Sequence, residues 1–489
     1  MSRSQFDLLF NPRGIVLAGA SAHPGKFGFV ALHNILAGGF GGPVFAVNPD
    51  RPTILGVETM ADVEEVPHGA ADLVMVCTPP NTCANILRSA ASRGIGAAFI
   101  ASGGFREAGS AGARAEEELV DLAHSLGMVL AGPNGQGLIS NPARLAAQIV
   151  APIPPSGPVS VASQSGNLVS AFMNHAAHSG VGISRAVSAG NAAMVEVVDF
   201  LKWFAGDSHT KAMAAYVEGV GDGQRFAATI REAAEAKPVV LVKGGTTPRG
   251  AQAAASHTGA LATDDRVFDG MVRQNGAVRA ATIEEAYDAV ATFATQPLPA
   301  GPRTLVLSSA GGWGVIAADA VSKSSLDLIP LPGDLKSAID GLVPPRWSRS
   351  NPIDLAGGES RDTIPEAIKL VADHPEVDAV IYLGMGIQAN TASHLRSGPY
   401  FQSAELDRIC QYHERQDNRF AQAAADASAR TGKPILAATE LAVTQPANSG
   451  PATMAAEDRY CLPSADRAVR ALDHLWWYAR WRQRHLGGK

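Results

Sequence analysis

The sequence predicts an α/β protein of about three domains, built on parallel, doubly wound sheets. Three observations carry this prediction. Short apolar runs of strand length alternate with helix-length stretches along nearly all 489 residues. Gly, Pro, Ser or Asn cluster behind most of these runs, on the edge where open α/β sheets bind ligands. The chain also has 50 glycines and 31 prolines but only 18% charged residues, which suits many short βα turns rather than disorder.

Composition narrows the classes of function. Hydrophobic residues make up 46% of the chain and mean hydropathy is +0.04, enough for well-buried cores. A net charge of −6 argues against a general nucleic-acid binder but leaves room for local basic groups that hold anions. Cys77, Cys83, Cys410 and Cys461 show neither CxxC nor Cys/His metal spacing, and read as free thiols of a reducing compartment. No metal site is read. Residues 1–10 lack the apolar core of a secretory leader and no run of 18 apolar residues occurs. The expectation is a cytoplasmic protein that does not enter the membrane.

In chain order, residues 14–18 form the first strand, followed by the loop Gly19–Gly28 and a helix over 29–36. Strand, small-residue loop and helix make a phosphate cradle, because the backbone can come close and the helix N-terminus favours an anion. The spacing is not a strict GxGxxG. Lys26 is placed to neutralise a phosphate. Strands over 44–47, 73–77, 97–100 and 129–131 end on Asn48-Pro49, Thr78-Pro79-Pro80, Ser102-Gly103-Gly104 and Gly132-Pro133-Asn134, with helices over 81–93 and 114–126 between them. A nicotinamide-dinucleotide site would place an acid at the end of the second strand to hold the ribose hydroxyls. Asn48-Pro49 stands there instead, and Asp50 comes only after the proline, which argues against a dehydrogenase. The proline-rich segment 151–158 closes a first domain over residues 1–150.

The second domain, 151–296, opens with a strand over 159–162, the loop Ser163-Gln164-Ser165-Gly166-Asn167 and a helix over 168–179. This is a second potential anion site. A strand over 182–188 leads to Gly190-Asn191 and a helix over 195–205. The strand over 213–217 ends on Glu218, a carboxylate placed to orient a histidine or to stabilise its cationic form. A helix over 224–236 and a strand over 238–243 complete a flavodoxin-like alternation. Beyond the loop 244–250 lies Ser256-His257-Thr258-Gly259, whose small residues predict a mobile loop. With no metal-ligand partner at regular spacing, the chemistry open to His257 is nucleophilic or acid–base. A solvated loop histidine is the plainer alternative.

The proline-rich segment 297–302 opens a third domain, 297–463. A strand over 304–308 feeds Gly311-Gly312-Trp313-Gly314 and a helix over 315–322, and further strands lie at 377–383 and 434–438. The stretch 404–430 is a polar helix with Arg408, Arg415 and Arg419 on a solvated face. A capped helix over 464–485 carries Leu472, Leu475, Trp476, Tyr478 and Ala479 on one apolar side, a packing surface within this chain or on a partner.

Taken together, the motifs resemble the α subunit of the NDP-forming (ADP-forming) acyl-CoA synthetases of the succinyl-CoA synthetase superfamily. They run in order along nearly the whole chain: the GAS-x-x-PGK-x-G loop at 19–28, GPN at 132–134, SQSGN at 163–167, GN at 190–191, YVEG at 216–219, KPVVLVKGG at 237–245, SHTGAL at 256–261 and NPIDL at 351–355. The resemblance implies a Rossmann-like CoA-binding domain followed by two flavodoxin-like ligase domains. It implies phosphorylation of His257 with Glu218 in support. Ser163, Ser165, Gly166 and Asn167, together with Gly311, Gly312 and Gly314, would hold the phosphoryl group at two helix N-termini. CoA would lie on Gly19, Ser21, Lys26, Asn48, Thr78, Pro79, Ser102 and Gly103, and the acyl pocket would include Asn134, Gly135 and Gln136. ATP/ADP with Mg2+ would bind a separate ATP-grasp β subunit, in an α2β2 assembly, to activate a carboxylic acid. The sequence departs from the family at Gly135-Gln136 (often Cys-Leu), Met194 (often an acid), Ala262-Thr263 (usually Ala-Gly) and Trp313 (commonly Pro), positions around the expected centre. A CoA-binding sensor of the same fold is the non-catalytic alternative, opposed by the intact Glu218 and His257.

Overall fold

The computed structural model describes residues 4–150, 152–258, 264–357, 362–402, 406–441 and 444–487, with backbone alone for 255–258. The chain divides into two compact units. The first runs to Ala286 apart from residues 178–181, and the second comprises His178–Val181 and everything from Tyr287 onward.

The first unit contains two sheets. In one, β1 (Ile15–Ala18), β2 (Val44–Val47), β5 (Leu73–Val76), β6 (Ala97–Ile100) and β7 (Val129–Ala131) are all parallel, in the order β2-β1-β5-β6-β7. A small ribbon of β3 (Thr53–Ile54) and β4 (Val57–Glu58) stands apart. β1, β5, β6 and β7 are buried along their whole length, which is why they read as unbroken apolar runs rather than alternating ones. Val16, Val74, Ile100, Leu87, Leu119 and Leu130 share one core with the flanking helices. Each such side chain contributes roughly 1.5–3 kcal/mol on burial.

The other sheet has the order β14-β13-β12-β10-β11-β8-β9. Its parallel strands are β10 (Ser156–Ser163), β11 (Ile183–Ser188), β12 (Ala212–Val217), β13 (Val239–Lys243) and β14 (Val278–Ala280). The hairpin of β8 (Gly137–Ser140) and β9 (Leu145–Gln148), which adds antiparallel to β11, was not expected from the sequence. Residues 137–148 therefore belong to the second sheet, although they precede the proline-rich boundary. Gly137 permits the pairing: at φ +126° any Cβ would lie 2.3 Å from the Gln148 Cα. Arg185, 2% exposed, ties the hairpin down by donating to Ser140 Oγ, to Asn11 Oδ1 at 3.0 Å and to Asp207 at 3.1 Å.

The second unit is built on β15 (Arg303–Ser308), β16 (Asp327–Leu328), β17 (Ile353–Asp354), β18 (Ala379–Leu383), β19 (Ile435–Ala438) and β20 (Cys461–Leu462), all parallel. It begins inside the helix Ile283–Thr295. The Tyr287 hydroxyl donates to Val181 O at 2.6 Å, pinning residues 178–181 to this unit. The C-terminal helix Ala465–Leu486 is part of the unit's core: Leu472, Leu475, Trp476, Tyr478 and Ala479 are buried. Arg467 pairs with the buried Asp288 at 2.6 Å, and Tyr460 donates to the same carboxylate. The apolar side of this helix thus packs within the chain.

Candidate functional site

The carboxyl edge of the first sheet carries the glycine loop. Gly19 has φ +90°, and a Cβ there would lie 2.7 Å from the Thr78 methyl; a Cβ on Gly28 would lie 1.9 Å from Gly19 O. The start of the helix Phe27–Ala37 is thereby pressed onto the end of β1. Its N-cap, Lys26, makes no side-chain capping bond, so the first-turn N–H groups are presented to an anion with the exposed Lys26 beside them. These features suit a phosphate-bearing ligand. Asn48 instead fixes the loop, since Nδ2 donates to Ala20 O at 2.8 Å and Oδ1 accepts from Asp50 N at 2.9 Å. Ser21 Oγ accepts from His23 N at 3.1 Å. Ser102 Oγ donates to Thr78 O, and Thr82 donates to Thr78 Oγ1 at 2.7 Å, so the ends of β5 and β6 are joined at Thr78, Pro79, Ser102 and Gly103.

A polar junction links this edge to the second sheet. Asn134, at φ +61°, donates to Asn191 Oδ1 at 3.3 Å. Asn191 Nδ2 donates to Glu107 at 2.6 Å and to the buried Glu116 at 2.7 Å, while Arg106 Nε donates to Glu116. Burial pulls the Glu107 carboxyl up, but donors from Asn191 and from the Gly104 and Phe105 amides outweigh it and hold it below the usual range. Nothing in the local sequence signals this cluster, because its members come from loops far apart in the chain.

At the end of β10, Ser163 is fully buried. Its Oγ donates to Ser165 O at 2.7 Å and accepts from Ser165 N at 3.0 Å, a turn that aims the helix Gly166–Ser179. A Cβ on Gly166 would lie 2.2 Å from the Gln136 Cδ. Gln136 therefore lies across the start of this helix, donating to Asn167 Oδ1 at 3.1 Å, and its N–H is held by Ser188 Oγ at 3.0 Å. Gly135 is required beneath it, since a Cβ there would lie 2.5 Å from Ser188 O. The structure thus joins the expected phosphate loop and the expected acyl pocket into one place.

Glu218 is 7% exposed, at the end of β12. Gln164 Oε1 accepts from the Glu218 and Gly219 amides, and its Nε2 donates to Gly219 O at 3.2 Å. Tyr216, two residues earlier and so on the same face of the strand, hydrogen-bonds the Glu218 carboxylate. Burial and that carboxylate push the Tyr216 phenol well above its ordinary range. Gly244 makes room for the pair, because a Cβ there would lie 2.2 Å from the Tyr216 hydroxyl. Tyr216 and Gln164 were missed as site residues, although the i, i+2 spacing of Tyr216 from Glu218 was a usable signal.

The expected loop at His257 is corrected in part: a helix spans Pro248–Thr258. Pro248 sits at its first position, Thr247 Oγ1 accepts from Gly250 N at 3.1 Å, and alanines at 251 and 253–255 favour helix over loop. His257 is at the end of that helix. Its side chain, like residues 259–263 with the Ala262-Thr263 departure, lies outside the described residues. Lys243, buried at the end of β13, donates to Gly244 O at 3.0 Å, and burial lowers the affinity of its ammonium for the proton.

In the second unit, Gly311, Gly312 and Gly314 form the first turn of the helix Gly311–Val321 rather than a loop before it. The turn at Ser308 repeats that at Ser163: Oγ donates to Ala310 O at 2.7 Å and accepts from Ala310 N at 3.1 Å. Here a Cβ on Gly311 would lie 2.5 Å from the Asp354 carboxylate, a negative charge that opposes an anion. Asp354 belongs to the NPIDL motif, but its place beside this helix start has no signal in the sequence.

Three family descriptions match this arrangement: "CoA binding domain" over residues 13–140, "Succinyl-CoA ligase like flavodoxin domain" over 156–293 and "Ligase-CoA domain" over 304–390. The chain is 32% identical over 485 residues to the α subunit of acetate–CoA ligase [ADP-forming] I of Pyrococcus furiosus, covering 98% of this chain and 99% of that one. It is 32% identical over 377 residues to 4-hydroxybutyrate–CoA ligase [ADP-forming] of Nitrosopumilus maritimus, covering 76% of this chain and 54% of that longer one. The fold superposes with a TM-score of 0.83 and 30% identity on the dinucleotide-forming acetyl-coenzyme A synthetase 1 of Ca. Korarchaeum cryptofilum, solved with phosphate and ADP, over 99% of this chain and 98% of that one.

Proposed function

Since the chain belongs to the α-subunit family of ADP-forming acyl-CoA ligases, we propose that it forms acyl-CoA reversibly from a carboxylic acid, CoA and ATP by way of phosphorylated His257. The observation that carries this reading is Glu218, buried at a strand end and held by both Gln164 and Tyr216, one strand away from the segment bearing His257. A fixed buried carboxylate orients an imidazole and offsets the charge it gains. The imidazole nitrogen takes the γ-phosphoryl group as its bond to ADP breaks. An acyl carboxylate oxygen then takes that group from the imidazole, and the CoA sulfur displaces phosphate from the acyl carbon. Splitting acyl activation in this way is what covalent catalysis offers.

Gly19, Ser21, Lys26, Asn48, Thr78, Pro79, Ser102 and Gly103 hold CoA, with Asn48 acting through the loop it fixes. Ser163, Ser165, Gly166 and Asn167 present the helix N-terminus to the phosphoryl group, and Asn134, Gly135 and Gln136 border the acyl group. Gly311, Gly312 and Gly314 start a second helix, which the Asp354 carboxylate beside it disposes less to a phosphoryl group than the start at Gly166. The nucleotide and its Mg2+ bind a separate ATP-grasp β subunit, in an α2β2 assembly. The test is intact-mass spectrometry at neutral pH of the chain incubated with acyl-CoA, phosphate and Mg2+, and with ATP plus the partner. An acid-labile phosphate absent from His257→Ala is expected. No phosphate on the native chain under either condition defeats the reading.

A further inference from the structure

One side chain, Asn191, joins the ends of strands from both sheets of the first unit. It follows β11, and its backbone is already tied to the turn after β7: Asn191 N donates to Pro133 O at 2.9 Å and Ala193 N to Gly132 O at 3.1 Å. Gly190 permits this approach, since at φ +57° a Cβ there would lie 2.2 Å from Pro133 O. The side chain reaches on to the loop after β6. Nδ2 donates to Glu107 Oε2 at 2.6 Å and to Glu116 Oε2 at 2.7 Å, while Oδ1 accepts from Asn134. Two carboxylates on the nitrogen and a donor on the oxygen fix which way the amide points. Each carboxylate also holds the loop itself. Glu107 Oε1 accepts from the Gly104 amide at 2.5 Å and the Phe105 amide at 3.2 Å, and Glu116, 3% exposed, accepts from Arg106 Nε. At the other end of the loop Ser102 O accepts from Asn134 N at 2.9 Å. Gly103 is enclosed between these groups: a Cβ there would lie 3.0 Å from Glu107 Oε1 and 3.1 Å from Asn134 Oδ1.

We propose that Asn191 is a positioning residue for acyl transfer to CoA: through Glu107 and Glu116 it sets the Ser102-Gly103 loop of the first sheet against the Gly135-Gln136 edge of the second. The proposal rests on the ligase reading above, in which that loop carries CoA and that edge borders the acyl group. Asn191 acts through the two carboxylates, on the distance between the segments that hold the reacting groups. Sulfur and acyl carbon must approach to about 3–3.5 Å, and a misplacement of about 1 Å costs about a hundredfold in rate. A neutral amide suits this place because it donates to both carboxylates at once, whereas an acid there would add a third negative charge. Transfer of the phosphoryl group from ATP to His257 requires neither CoA nor this loop, so that step is independent of Asn191.

The experiment compares Asn191→Ala and Glu107→Gln with the native chain, each with the ATP-grasp partner. Asn191→Ala leaves Glu116 on Arg106 and Glu107 on the Gly104 and Phe105 amides. Glu107→Gln keeps an oxygen for those amides but turns a donor towards Asn191, and it carries the test should Asn191→Ala fail to fold. His257 phosphorylation by ATP is followed without CoA, and acyl-CoA formation is then read in a single turnover against CoA concentration. Acyl-CoA formation at saturating CoA should slow about ten- to a hundredfold, with the half-saturating CoA concentration moved less than about threefold and phosphorylation unchanged. The double variant should be no slower than the slower single one, because both break the same link. Hydrogen–deuterium exchange of the full chain alone should rise over residues 102–107 in both variants. A merely structural role would slow both steps together. An equal fall in phosphorylation, a raised CoA requirement at native maximal rate, native rates in both variants, or unchanged exchange would each overturn the proposal. Absence of phosphate from the native His257 would instead defeat the ligase reading, while exchange still reads the link.

Discussion

Two serine turns, at Ser163 in the first unit and Ser308 in the second, end a central strand with the same bonds and each start a helix on glycine. They differ in what faces the helix. Over Gly166 lies the neutral amide of Gln136, whereas beside Gly311 stands the carboxylate of Asp354. A second helix of the same unit, Ile387–Ser397, is also met by an internal acid: Asp417 accepts from Gly386 N at 3.2 Å and Ala389 N at 2.7 Å. Identical backbone turns thus yield opposite electrostatics, because the facing group comes from elsewhere in the chain. The first helix start remains disposed to an external anion, while the second unit answers its helix starts with its own carboxylates.

Adding a methyl group at each helix start probes this difference most directly. Gly166→Ala collides with Gln136, whereas Gly312→Ala meets nothing within 4 Å. We expect the first to lower the phosphorylation rate about a hundredfold through misplacement. The second should leave folding intact and stabilise the helix by about 0.5–1 kcal/mol. Equal effects on phosphorylation would show that the two starts are equivalent.

Asp417 tests the internal acids by pH. Burial raises its carboxyl from 3.8 to about 6, against the pull of the two amides. A raised folded-state value means stability present below pH 3.8 and lost as pH rises through about 6. Asp417→Asn should therefore gain relative to the native chain between those values and hold its advantage above them. The gain is roughly 2–3 kcal/mol at most, less the acceptor that an amide loses, read as the difference in melting temperature across pH. A pH-independent difference would mean that Asp417 titrates normally.

Tyr216→Phe removes the phenolic donor from Glu218 without changing shape. About a tenfold fall in kcat is expected, with KM little changed, since the lost bond fixes the carboxylate rather than the substrate. An unchanged kcat with a lowered melting temperature would reduce Tyr216 to packing. The smallest effect is expected from the serines: Ser163→Ala and Ser308→Ala should each cost about 1 kcal/mol, seen as similar falls in melting temperature. Only the former should also weaken phosphorylation by inorganic phosphate and acyl-CoA.

Much of this molecule was legible along the chain. Strands of fully buried residues, the small-residue clusters behind them, Glu218 at a strand end and the order of the motifs are all local patterns, set by the period of strand and helix and by which residues turns accept. The same local logic failed at His257, where small residues suggested a loop while Pro248 and the alanines after it favour helix. The hairpin at residues 137–148, the amide of Gln136 over Gly166, the carboxylate of Asp354 beside Gly311 and the Glu107–Asn191–Glu116 junction were decided only in three dimensions. Each depends on groups brought together from distant segments by sheet order and loop closure. Sequence determines which edges can bind an anion; tertiary structure determines which of them already face a charge of their own.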